Sequence, residues 1–180
     1  DRQLKSELIE QEETIIKDLG QSNHSKSTHS WGAELENSNT SENIVLSVSA
    51  GDTWEIINQF SIHGHPLKRG FNYRETDLIT FRMKNGGAMS VIYKINSTFD
   101  LNMNNRLNDI ESLDLDPIIK ANLISYITAR CSGLGFDSSY LYKFYLLEQY
   151  ITLPHMPCPA TNNVGARYYS VEALQNKAIL

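Results

Sequence analysis

The segment 78–95 constrains the fold of this 180-residue chain more than any other segment. It consists of LITFRM, a short polar stretch ending in Asn85-Gly86-Gly87, and AMSVIYKI. Two runs rich in apolar and β-branched residues, joined through an Asn-Gly turn, are the strongest short-range signal for a β-hairpin. We therefore predict two neighbouring antiparallel strands, at 78–83 and 88–95.

The remaining segments predict an irregular order of strands and helices around this hairpin. IVLSVS at 44–49 alternates apolar and small polar residues and predicts a strand. Asp52 or Thr53 can cap a short helix after that strand, and the glycine- and proline-containing stretch 61–76 predicts irregular structure. Further along, we expect a polar connection at 96–116 with a short helix at 107–113, followed by a helix from Pro117 to about Arg130 capped by Asp116. One long strand or two bent strands should follow at 138–153. The chain should then form a short strand at 166–170 and a closing helix at 171–177 capped by Ser170.

This order of elements neither alternates cleanly nor separates strands from helices. It predicts a small α+β domain with a curved antiparallel or mixed sheet and flanking helices, the sheet being either open or closed into a barrel. Hydrophobic residues make up 41% and charged residues 21% of the chain, close to ordinary globular usage, which excludes a fully disordered chain.

The acidic charge is concentrated in the first quarter of the chain. Residues 1–42 hold nine acidic and four basic residues, whereas the following residues hold twelve of each, so the net charge of −5 belongs to the N-terminal part. We interpret 1–19 as an amphipathic helix, 20–42 as a flexible linker in which Trp31 is a candidate anchor, and 43–180 as the α+β domain. The helix either packs on its own domain or contacts an upstream domain or a protein partner.

The bulk composition predicts a protein without membrane contact. No apolar run approaches the roughly 20 residues that a helix needs to span a bilayer. Cys131 and Cys158 are the only cysteines, too few for a disulfide framework, so a reducing compartment such as the cytoplasm is expected.

Two pairs of residues have the side chains of zinc ligands. They are His63 with His65 and His155 with Cys158, and a strand-and-loop fold could bring the two pairs together. Neither spacing matches a standard zinc finger, and all four also suit ordinary loop positions. We predict no bound metal and no cofactor, with zinc left as an open alternative.

Catalytic motifs are weak throughout the sequence. Neither a nucleophile elbow nor a phosphate-binding glycine loop occurs. Asp77 and Lys94 could belong to a Mg²⁺-dependent nuclease, but Ile92 stands where such a site needs a carboxylate. We predict no catalytic residues, and a metal-dependent enzyme such as a nuclease remains an alternative.

A local excess of basic residues lies in the segment 63–95. It holds six lysine and arginine residues against two acidic ones, in a body that is neutral overall. The basic residues are Lys68, Arg69, Arg74, Arg82, Lys84 and Lys94, with Phe71 and Tyr73 interleaved and Trp54 upstream. Cations among rings that can stack on bases are typical of nucleic-acid-binding surfaces. The alternative is that these residues form the solvated face of a sheet.

Three segments resemble PUA-like domains of the EVE, YTH and ASCH kind. They are IVLSVSAGDTWEII, ETDLITFRMKNGGAMSVIYKI, and YLYKFYLLEQYITLP. The resemblance implies a pseudo-barrel of five or six strands. It also implies a cleft that takes a nucleobase, often a modified one, by aromatic stacking and polar contacts.

The resemblance implies a set of ligand-binding residues and a function. Together with the basic segment, it predicts binding by Ser47, Ser49, Asp52, Trp54, Lys68, Arg69, Tyr73, Arg74 and Arg82. The function expected is a non-catalytic module that binds DNA or RNA and reads a modified base, as the specificity domain of a bacterial restriction or defence protein. A protein-interaction or accessory domain, with the helix at 3–19 as its contact, is the alternative.

Overall fold

The computed structural model describes residues 43–68, 71, 73–137, 141–161 and 165–180. The predicted N-terminal helix, the linker with Trp31, and Arg69 lie outside the described residues. No helix in the described ranges is long and apolar enough to cross a membrane.

The described residues form six strands and four helices. In chain order they are β1 (Ile44–Gly51), α1 (Trp54–Phe60), β2 (Ile62–Pro66), β3 (Leu78–Met83), β4 (Val91–Asn102), α2 (Arg106–Ser112), α3 (Pro117–Cys131), β5 (Leu141–Thr152), β6 (Arg167–Ser170) and α4 (Val171–Asn176). The strands make one open, curved sheet in the order β2-β5-β4-β3-β1-β6. β1 runs parallel to β3, and the other neighbours are antiparallel. The prediction of an α+β domain with a mixed sheet is confirmed.

The hairpin is present with its predicted turn, but its second strand begins at Val91 and not at residue 88 as predicted. Leu78 pairs with Lys94 and Thr80 with Ile92. Asn85 has a φ of 61°, a left-handed conformation that asparagine and glycine adopt most readily. The turn residues therefore direct the chain back onto β3 as the sequence indicates.

Two strand predictions were wrong in the same direction. Residues 61–76 were expected to be irregular, yet Ile62–Pro66 pairs with β5 as an edge strand. The connection expected from 96 is the second half of β4, which pairs with β5 as far as Asn102. Both strands are polar or contain Gly and Pro, so their local composition conceals a pairing that the partner strand provides.

The helix boundaries follow their capping residues. The Asp116 side chain accepts a hydrogen bond from the Ile118 amide at 2.8 Å, and Ser170 accepts one from the Ala173 amide at 3.1 Å. Both N-caps were predicted. Each satisfies a backbone donor that the first helical turn leaves without an intrahelical partner.

The core lies on both faces of the sheet. Leu46 and Phe81 belong to the larger cluster, which includes residues of α1 and α3, and Val45 and Ile92 belong to a smaller one with Leu174 of α4. Sheet curvature brings the ring of His63 on β2 to a centroid distance of 5.0 Å from Phe81 on β3, although β5 and β4 lie between those strands in the sheet order. The sheet is therefore curved enough for β2 to approach β3.

Candidate ligand-binding cavity

A cavity of about 790 Å³ lies between the sheet and the described residues Leu67, Phe71 and 73–77 of the segment 67–77. Its walls combine that segment with residues from four strands. The strand residues are Leu46 of β1, His65 of β2, Ile95, Ser97 and Thr98 of β4, and Lys143 and Tyr145 of β5. The volume lies in the range of roughly 300–1,000 Å³ that small-molecule sites occupy.

Four rings form one wall of this cavity. The His65 ring lies nearly parallel to Phe71, with centroids 5.7 Å apart and 12° between the planes. Its centroid is 4.6 Å from that of Tyr73 and 5.6 Å from that of Tyr145. His65 and Tyr145 meet because β2 and β5 are antiparallel neighbours. We call His65, Phe71, Tyr73 and Tyr145 the aromatic wall.

Hydrogen bonds fix the orientation of the histidine in this wall. Its Nδ1 lies 3.2 Å from the Pro66 carbonyl oxygen, and its Nε2 lies 3.1 Å from the Tyr145 hydroxyl. Burial is the main cause that lowers the pKa of His65, with a smaller opposite effect of the Pro66 hydrogen bond. Burial likewise raises the pKa of Tyr145 to about 12. Both groups are therefore uncharged at neutral pH.

His63 lies behind the aromatic wall. Its ring is 5.8 Å from that of Tyr145, and only 6% of the residue is exposed. Among the groups that the structure describes, neither ring nitrogen has a hydrogen-bond partner. Burial, followed by the charges of His65 and Arg130, lowers the pKa of His63 well below its usual value. The buried imidazole is consequently neutral.

The remaining lining is polar and carries both signs of charge. Arg74 and Lys143 are basic, whereas Glu75 and Asp77 are acidic. The Arg74 guanidinium lies 5.2 Å from the centroid of the Tyr168 ring. The backbone amide of Arg74 donates a hydrogen bond to the Tyr168 hydroxyl at 2.7 Å. These contacts tie Arg74 to the edge strand β6.

Some of the predicted ligand-binding residues meet at this cavity. Tyr73 and Arg74 line it, and the Lys68 ammonium lies 6.0 Å from the centroid of the Phe71 ring. Asp52 and Trp54 instead follow the far end of β1. There Asp52 pairs with Lys84 at 2.8 Å on the surface, and Trp54 is half-buried.

Three further predicted residues lie on the other side of the sheet from the cavity. Side chains alternate along a strand, so Ser47, Ser49 and Arg82 point away from the face of Leu46 and Phe81. Arg82 is fully buried and donates to the Ser47 carbonyl at 3.1 Å and to the Gly165 carbonyl. Arg82 thus ties β3 to β1 and to the approach of β6.

The sequence reasoning did not single out His65, Tyr145 and Lys143 as ligand-binding residues. His65 was considered only as a zinc ligand. The available signal is the alternation of residues 63 and 65 on one strand and 143 and 145 on another, which puts each pair on one face. That the two pairs share a face depends on the β2–β5 register, which no local pattern reveals.

The two pairs of zinc-ligand type do not come together. His63 and His65 lie on β2, whereas His155 donates from Nε2 to the Leu174 carbonyl at 2.8 Å beside α4. In the part of the chain that the structure describes, no three His, Cys, Asp or Glu residues are grouped closely enough to hold a metal ion.

Comparisons of the chain with protein-family models, with curated proteins and with solved structures found no match. The chemistry of the cavity is therefore the basis for inferring a function. It offers ring faces, hydroxyl groups, two cations and two carboxylates around one space.

Proposed function

We propose that residues 43–180 form a non-catalytic nucleic-acid-binding module whose cavity receives a nucleobase. The observation that carries this proposal is the aromatic wall, since His65, Phe71, Tyr73 and Tyr145 line a space large enough for a base with its sugar. Bases stack on rings without regard to sequence, and such stacking contributes about 1–3 kcal/mol per base.

The polar lining supports the same ligand class. Arg74 and Lys143 can contact phosphate oxygens, and Glu75 and Asp77 can accept hydrogen bonds from base amino groups. The mixed charge indicates few phosphate contacts. With two cations engaged, the logarithm of the affinity for a single strand should fall with the logarithm of salt concentration with a slope of about −1.4.

A single base can enter such a cavity only when it is unstacked. The ligand is therefore a single strand or a base flipped out of a duplex, which costs least at damaged or mismatched positions. A module that binds a base without changing it suits the specificity domain of a bacterial restriction or defence protein, in which another domain supplies the chemistry. A modified base is the ligand that we propose for that role.

The Tyr73→Ala variant tests the proposed function. We expect it to weaken binding of a fluorescent single-stranded DNA or RNA of about twelve nucleotides by tenfold or more, since one stacking ring is lost. Tyr73→Phe should keep most of the affinity. Fluorescence anisotropy with the full chain measures both variants, and circular dichroism verifies that each one folds.

Tyr150→Ala is the matched control because Tyr150 lies on the same strand as Tyr145 but is 60% exposed and outside the cavity. Its affinity should stay within twofold of the unaltered chain. Equal weakening by Tyr73→Ala and Tyr150→Ala, or the absence of binding to DNA, RNA and duplexes with a modified base, would contradict the proposal.

A further inference from the structure

The hydrogen-bond network of His65 defines where its single proton lies. The Pro66 carbonyl oxygen, 3.2 Å from Nδ1, can only accept a hydrogen bond. Nδ1 must therefore carry the proton. In a neutral imidazole the other nitrogen is then an acceptor, so Nε2 has no hydrogen to offer to the Tyr145 hydroxyl 3.1 Å away.

The Tyr145 hydroxyl consequently donates to His65. A phenol has one proton, and once that proton is directed at Nε2 the oxygen presents only lone pairs to any other group. Tyr145 lines the cavity, and burial favours its protonated form. The aromatic wall therefore contributes a hydrogen-bond acceptor with a fixed orientation.

We propose that Tyr145, oriented by His65, determines specificity in the cavity by favouring bases with an exocyclic amino group over bases with a carbonyl oxygen at the same position. This inference rests on the proposed function. The amino groups of cytosine and adenine can donate to the Tyr145 oxygen. Uracil and thymine instead present carbonyl oxygens, whose lone pairs would oppose those of the Tyr145 oxygen. A site built to accept a donor rejects an analogue that lacks it, because its own acceptor is left unpaired.

The carboxylates in the lining also favour a base that donates a hydrogen bond. Glu75 and Asp77 are in the same cavity, and a carboxylate only accepts hydrogen bonds. Their presence adds acceptors and no donors. Arg74 and Lys143 supply donors, and as cations both are suited to phosphate oxygens.

Binding of cytidine and uridine monophosphates by calorimetry tests this inference. These probes differ at the position where an amino group replaces a carbonyl. We expect the unaltered chain to bind the cytidine nucleotide about fivefold more tightly or better, the equivalent of one neutral hydrogen bond. Tyr145→Phe should lower this preference because one of the acceptors is lost, and Tyr150→Phe should leave the preference unchanged.

A second variant examines the role of the histidine. His65→Phe removes the acceptor for the Tyr145 proton, so the hydroxyl becomes able to donate and the preference should shift toward the uridine nucleotide. A preference for uridine in the unaltered chain, or a cytidine preference that neither Tyr145→Phe nor His65→Phe lowers, would overturn the inference while leaving the proposed function intact. Failure of both nucleotides to bind the unaltered chain would overturn the proposed function and this inference with it.

Discussion

Between pH 7.5 and pH 5 the domain should lose unfolding free energy through His63, and an unfolded-state pKa of about 6.5 limits this loss to about 2 kcal/mol. Burial, followed by the charges of His65 and Arg130, lowers the pKa of His63 in the folded protein. In the unfolded chain the same group titrates near its ordinary value of about 6.5. The unfolded state therefore binds more protons as the pH falls below about 6.5, which shifts the equilibrium toward unfolding.

The His63→Leu variant isolates this contribution. Leucine places no titratable group among Phe81, His65 and Tyr145, so the variant should lose less unfolding free energy than the unaltered chain over the same pH interval. Urea unfolding at pH 7.5, 6 and 5 measures the difference. Parallel curves of stability against pH for the two proteins would show that His63 protonates freely in the folded state. His65 acts in the same direction, because its pKa is also lowered.

Gly64→Ala should destabilise the domain by about 2–3 kcal/mol, the upper part of the range for overpacked cores. A Cβ atom at this position would lie 2.9 Å from Cε1 of Phe144 and 3.0 Å from Cζ of Phe136. The Gly64 amide also donates to the Tyr126 hydroxyl at 3.0 Å, which fixes the strand against α3. A shift of β2 away from the two rings would therefore weaken the hydrogen bond to Tyr126.

A double-mutant cycle with Phe144→Leu tests the cause of that loss. If the methyl group clashes with the Phe144 ring, the double variant should be less destabilised than the sum of the two single variants. Chemical denaturation of all four proteins provides the free energies. Additive losses, or a Gly64→Ala variant within about 0.5 kcal/mol of the unaltered chain, would be inconsistent with close packing of Phe136 and Phe144 around Gly64.

The predictable part of the fold is the part encoded by local signals. The Asn85-Gly86-Gly87 turn predicted the hairpin, and Asp116 and Ser170 predicted where helices begin. β2 and the second half of β4 were missed because they become strands through long-range pairing with β5. Their polar side chains give no local indication of that partner.

The cavity was predictable only in the segment that carries its own signal. Tyr73 and Arg74 were predicted to bind ligand because an aromatic residue stands beside a cation in a basic segment, and both residues line the cavity. His65 and Tyr145 are 80 residues apart, and only the β2–β5 register brings them together. For Ser47 the alternation along β1 does not reveal which face of the sheet lines the cavity. In the structure the Ser47 side chain lies on the opposite face.

The most direct test of the central claim is an NMR titration of the domain with single-stranded DNA or RNA of about twelve nucleotides. If the aromatic wall receives a base, chemical-shift changes should concentrate at the backbone amides of Tyr73, Arg74, Thr98 and Tyr145. They should saturate at the affinity measured by anisotropy. Changes confined to Asp52 and Trp54 beyond the far end of β1, or no changes at all, would contradict the assignment of this cavity as the nucleobase site.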